Sequence, residues 1–148
     1  FGVNGGYVVT SATIIDYLRE TSPFYIYSNP ITPSEAAAAV KAVDFVDSSD
    51  GRQLLDHLRA MTKRFEAGIA ALGFESIPGE HPVVPLMVRD TAKTSALVSH
   101  LYENGILATG LNYPVVPKGD EEIRFQISAD HTPTDIEEVL EILSRFDR

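Results

Sequence analysis

From Ile123 to Ser128 the sequence alternates strictly, with Ile123, Phe125 and Ile127 apolar and Arg124, Gln126 and Ser128 polar between them. A period of two marks a strand with one face in a core and the other in water. The pattern therefore predicts a half-wet sheet and aims Arg124 out of its open face. Ahead of this strand, Pro114 and Pro117 are expected to hold the chain extended and Lys118-Gly119-Asp120 to turn it. Behind it, Thr132-Pro133-Thr134-Asp135 reads as a helix start.

A sheet with an apolar face needs helices to cover it, and the sequence supplies them. Thr32-Pro33-Ser34-Glu35 has the form of a capping box with proline at the first helical position, opening an alanine-rich helix through Val40, Val43 and Val46. Asp47-Ser48-Ser49-Asp50-Gly51 breaks it. Leu54, Leu58, Met61, Phe65, Ile69 and Leu72 then recur at spacings of three and four, one face of an amphipathic helix that Gly73 ends. Asp90 or Thr91 is placed to cap a helix through Leu97, Val98 and Leu101, stopped at Asn104-Gly105. The last helix is expected to turn Ile136, Val139, Leu140, Leu143 and Phe146 inward.

Further strands are expected at Val83–Val88, where Pro85 implies an edge or a bulge, and at Ile106-Leu107-Ala108-Thr109. From about Pro33 the order is helix, helix, strand, helix, strand, strand, helix, a small α+β domain with a mostly antiparallel sheet covered by helices. Before it, Tyr7-Val8-Val9-Thr10 reads as a strand, Ser11 or Thr10 as the cap of a short helix with Ile14, Ile15 and Leu18 in one stripe, and Phe24-Tyr25-Ile26-Tyr27 as an aromatic extended segment. Gly5-Gly6 is either a tight turn or a cradle for an anion.

Charge and composition narrow the function classes. Twelve basic residues against 21 acidic ones give a net charge of -9, which argues against a nucleic-acid surface or docking on anionic lipid. Without cysteine there is neither a disulfide framework nor a thiolate metal site. His57, His81 and His100 show no metal-ligand spacing, and His131, beside the Thr132 helix start, reads as a local hydrogen-bonding or surface residue. No apolar run approaches the ~20 residues of a membrane span, so the expectation is a cytoplasmic protein. A chain that opens on Phe1 and a glycine-rich turn reads as the C-terminal part of something longer.

Alternation alone leaves Arg124 open between a solvated strand arginine and a ligand-binding group, and Ser28-Asn29 reads as a turn. Taken in order, however, Gly5-Gly6-Tyr7, Ser28-Asn29, Tyr113-Pro114-Val115-Val116-Pro117-Lys118-Gly119 and Ile123-Arg124 through Ser128-Ala129-Asp130-His131-Thr132 resemble the C-terminal half of the α-oxoamine synthases, and most of all their glycine C-acetyltransferase branch. These are pyridoxal-phosphate enzymes of the aspartate-aminotransferase fold, and the resemblance spans essentially the whole chain.

The resemblance implies residues 1–32 as the end of the large cofactor-binding domain with its linker, and 33–148 as the C-terminal small domain. It implies Arg124 as the group that holds the amino-acid carboxylate, and Ser28 and Asn29 as the pair that reaches the cofactor phosphate of the other subunit in a homodimer. The implied reaction joins glycine to an acyl-CoA, giving an α-amino-β-keto acid and CoA. The family's Schiff-base lysine would precede Phe1; Lys41, Lys63, Lys93 and Lys118 do not match its motif, so the chain alone is expected to be inactive. An aminotransferase of the same fold and a non-catalytic α+β dimerisation or binding module are the competing readings.

Overall fold

A computed structural model of the chain describes residues 2–147; Phe1 and Arg148, the outer ends of the two expected segments, lie outside the described residues. The chain divides into two compact units, Phe1–Arg52 and Gln53–Arg148.

The first unit contains helices α1 (Ala12–Thr21), α2 (Pro23–Tyr27) and α3 (Pro33–Val46), and the start of α4 (Ser49–Ala71). The capping box of α3 forms as expected: Thr32 Oγ1 accepts from Glu35 N at 3.3 Å while a Glu35 carboxylate oxygen accepts from Thr32 N at 2.9 Å. The break between α3 and α4 is shorter than the composition suggests. Asp47 and Ser48 bridge it, the Ser48 hydroxyl donating to Phe45 O and accepting from Gly51 N, and Ser49, Asp50 and Gly51 are already helical.

Two sequence expectations fail in this unit. Phe24–Tyr27 is helical, because Pro23 sits at the first helical position with its φ already set and Ser22 precedes it as the cap residue. Tyr7–Thr10 belongs to no strand, and the sheet contains none of it. Aromatic and β-branched residues favour a strand only where a neighbour supplies the ladder. Ser11 is the cap residue of α1 but makes no side-chain cap bond.

The second unit is built on a sheet of β1 (Glu75–Ser76), β2 (Val83–Met87), β3 (Thr109–Leu111) and β4 (Glu122–Gln126), in the order β1-β2-β4-β3 and antiparallel throughout. Beside it run the rest of α4, α5 (Thr91–Glu103) and α6 (Pro133–Ser144). The observed α+β class agrees with the reading from periodicity. Val84 and Leu86 of β2 and Ile123, Phe125 and Ile127 at β4 form one apolar face, buried with Met61, Phe65 and Ile69 of α4, Leu97 and Leu101 of α5, and Ile136, Val139, Ile142 and Leu143 of α6. Phe65 and Phe125 meet with ring centroids 4.9 Å apart. Each such side chain withdrawn from water contributes about 1.5–3 kcal/mol, so this face dominates the stability of the unit.

Gly110 lets α5 come close to β3, since a Cβ there would lie 2.8 Å from Val98 Cγ2 and 3.1 Å from Thr94 Cγ2. Asp90 caps α5 by accepting from Lys93 N, and Thr132 and Asp135 form the capping box of α6. His100 Nε2 donates to Ile142 O at 3.0 Å, and His57 Nε2 to His131 O at 2.8 Å.

Pro85 lies on an interior strand, yet the expectation of an edge holds locally. Pro82 O and Val88 N both bond toward β4, so the backbone at Pro85, odd in that count, points the other way, where β1 has stopped at Ser76. The third strand is displaced from the expected Ile106–Thr109 to Thr109–Leu111, because register with Glu122–Arg124, rather than local hydrophobicity, decides which residues pair. The segment before β4 is not extended. Val115 N and Val116 N both bond to Asn112 O, since the φ that proline sets serves a turn as well as an extended chain. In the cores of the helices, Ile142 joins the expected apolar row, and Phe146 packs on it from beyond the end of α6.

Candidate substrate-carboxylate site

Arg124 sits mid-strand in β4, opposite Pro85 of β2 and Thr109 of β3, on the face opposite the core-facing Ile123 and Phe125. Directly opposed residues share a face, so the guanidinium stands among Pro85, Thr109 and the flanking polar positions of its own strand. Just over half of its side chain reaches solvent (55%). Its Nε–H donates to Glu122 Oε1 at 2.7 Å, and no other hydrogen bond to it occurs among the described residues. The two Nη groups therefore present an uncommitted edge. A planar guanidinium held by one edge offers two parallel N–H groups on the other, the geometry that grips a carboxylate at two points.

Glu122 is the residue that sequence reasoning passed over. It lies two positions before Arg124 on the same face, flanked across the ladder by Met87 and Leu111, and only 8% of its side chain is exposed. The spacing of two from Arg124 was the available signal.

The turn before β4 is tied down by a second buried acid. Glu121 accepts from Thr91 Oγ1 at 3.0 Å and from Gly119 N at 2.8 Å, while its carbonyl accepts from Val88 N and Arg89 N. Its own backbone N–H most of all, then Thr91 and Gly119, hold its carboxyl below the usual range against the opposing effect of burial. Gly119, with φ 90°, makes the expected turn at Lys118–Asp120. Lys118 Nζ stands 5.2 Å from the centre of the Tyr113 ring. Helix α5, β2 and the turn are thereby joined at the base of the strand that carries Arg124.

Ser28 and Asn29 belong to the first unit, Arg124 to the second. Ser28 ends α2 in extended conformation, and both residues are exposed. Their hydroxyl and carboxamide groups show no hydrogen bond among the described residues. A cleft of about 480 Å³ beside α4, lined by Leu58, Arg59, Thr62, Lys63, Glu66 and Pro82 among others, does not include Arg124. Among the described residues no cluster of three or more metal-ligating side chains occurs, and no helix is long and apolar enough to cross a membrane.

The chain belongs to the aminotransferase class I and II family, whose model matches residues 1–143. Its relatives within that family are α-oxoamine synthases. A 2-amino-3-ketobutyrate coenzyme A ligase of Escherichia coli K12 is 35% identical over 145 residues, covering 98% of this chain and 36% of that protein. An 8-amino-7-oxononanoate synthase of Thermosipho melanesiensis is 37% identical over 141 residues, 95% of this chain and 36% of that protein. The fold likewise matches a serine palmitoyltransferase from S. paucimobilis solved with PLP and myriocin, at a TM-score of 0.84 and 23% identity, over 97% of this chain and 36% of that one. The chain thus spans just over a third of the length of the relatives it matches.

Proposed function

We propose that the whole protein condenses glycine, or a similar small amino acid, with an acyl-CoA to give an α-amino-β-keto acid and free CoA. In this reading it is a cytoplasmic homodimer that uses pyridoxal 5'-phosphate. The observation that carries the reading is Arg124, fixed by one edge and open at the other on the wet face of the sheet. A carbon–carbon bond forms between the glycine α-carbon and the thioester carbonyl carbon, the C–S bond breaks, and the α-proton is lost. Pyridoxal phosphate, when bound, supplies the electron sink for the negative charge at the α-carbon. The role of this chain is to hold the substrate. Two N–H groups on the glycine carboxylate fix the direction of the bonds at the α-carbon, and that orientation determines which one is broken.

Residues 1–32 would complete the cofactor-binding domain, and 33–148 would form the small domain that brings Arg124. Ser28 and Asn29 suit a phosphate group because each carries an uncommitted neutral donor, and in the dimer they would serve the partner's site. Lys41, Lys63 and Lys93 lie within α3, α4 and α5, and Lys118 in the turn before β4. None is the cofactor lysine in this reading, so these 148 residues alone are inactive.

The test is a glycine titration of the full-length protein, followed by the visible spectrum of its cofactor, in wild type and Arg124→Ala. Loss of a charge-assisted two-point contact should weaken glycine by about 2–5 kcal/mol, with Arg124→Lys recovering only part. Equal dissociation constants would make Arg124 an ordinary strand arginine. Product analysis with glycine and acyl-CoA separates condensation from transamination.

A further inference from the structure

Arg124 has a half-exposed, flexible side chain, yet a site that binds a carboxylate at two points needs its guanidinium plane fixed in advance. Neither cross-strand neighbour does this: Pro85 offers no hydrogen-bonding side chain, and Thr109 makes no bond to it among the described residues. The one group that holds it is Glu122, whose carboxylate is shielded between Met87 and Leu111 and accepts the Nε–H at 2.7 Å. We propose that Glu122 is a positioning residue for substrate binding, which occupies the Nε edge of Arg124 and turns the paired Nη edge toward the amino-acid carboxylate. The inference rests on the reading of Arg124 as the carboxylate anchor.

Two opposite effects follow from an acid beside that anchor. Its negative charge repels a bound carboxylate, and its hydrogen bond pre-orders the group that binds it. The Glu122 oxygen meets Nε, so the guanidinium's own positive charge lies between it and a carboxylate on the Nη edge, whereas the geometric restraint acts in full. Orientation therefore outweighs charge, and the two have opposite signs in experiment.

The experiment uses the full-length protein with its cofactor, and compares Glu122→Met, which fills the apolar slot without an acceptor, with Glu122→Gln, which keeps the acceptor without the charge. Glu122→Met is expected to raise the glycine dissociation constant about 3- to 10-fold, the cost of ordering one long side chain on binding. KM for glycine should rise in step while kcat at saturating glycine holds, and Glu122→Gln should stay within about 2-fold of wild type. Binding by Glu122→Met that equals or exceeds wild type would overturn the proposal, tighter binding being what loss of charge alone produces. In unsubstituted protein, slow hydrogen exchange at the Arg124 Nε–H is expected; exchange as fast as at the exposed Arg59 would equally overturn it. The Arg124→Ala titration separates the two levels: glycine binding lost there but unaltered in Glu122→Met removes the positioning role alone, and binding retained in Arg124→Ala removes both.

Discussion

Arg89 and Glu75 meet at two points across the end of β2, with Nε to Oε2 at 2.8 Å and Nη2 to Oε1, although Arg89 holds a left-handed backbone at φ 62°. The same guanidinium donates to Gly119 O at 3.0 Å and reaches Asp120, so one residue links β1 to the turn that feeds β4. A side chain at positive φ is costly, and these contacts offset that cost.

Arg89→Gly and Arg89→Ala should therefore differ. Both lose the same half-exposed ion pairs, which solvent screens, but alanine keeps the unfavourable backbone and should be less stable than glycine by about 1–2 kcal/mol. Chemical unfolding midpoints give the difference. Amide exchange at Gly119 and Asp120 should rise in both.

Acid should weaken the second unit through a few identifiable carboxyls. The Arg89 contact lowers the pKa of Glu75, its own backbone N–H with Thr91 and Gly119 lowers that of Glu121, and the Thr132 backbone N–H and hydroxyl lower that of Asp135. Each folded pKa lies below the ordinary 4.5 or 3.8, so the contribution is complete above about pH 5 and is lost as pH falls through the folded values. Glu75→Gln and Asp135→Asn should each flatten the acid limb of a stability-against-pH curve; an unchanged slope would count against these contacts.

Arg124→Ala should not be silent in stability, as alternation alone implies it would be. It leaves the shielded Glu122 carboxylate without its partner, at a cost of about 1–3 kcal/mol. Replacing both residues, Arg124→Ala with Glu122→Leu, should restore most of the loss. Comparing thermal unfolding of the single and double variants measures the coupling.

Gly68 of α4 faces Leu140 of α6, and a Cβ there would lie 2.2 Å from Leu140 Cδ1 and 3.0 Å from its Cγ. Gly68→Ala gains about 1 kcal/mol of helix propensity, but the leucine must leave its position, so the net change should be a loss of about 1 kcal/mol. In a Leu140→Ala background the same substitution should become stabilising, which unfolding midpoints of the four variants would reveal.

The sequence by itself determined the elements whose cause is local. The capping boxes at Thr32 and Thr132 form because side chain and backbone within four residues satisfy each other. Helix α4 follows from its stripe, although Leu54 remains exposed at its start, and β4 from a strict period of two that alone sent Arg124 outward. Tertiary structure decided whatever depends on a partner distant in the chain. Strand β3 falls at Thr109–Leu111 because β4 pairs there, and Tyr7–Thr10 has strand propensity but no place in the sheet. Glu121 and Glu122 are not singled out by their sequence, yet both are buried where Thr91, Gly119 and Arg124 meet their oxygens. A carboxylate leaves water only where donors await it, and those donors are brought together by the folded chain rather than by their order in the sequence.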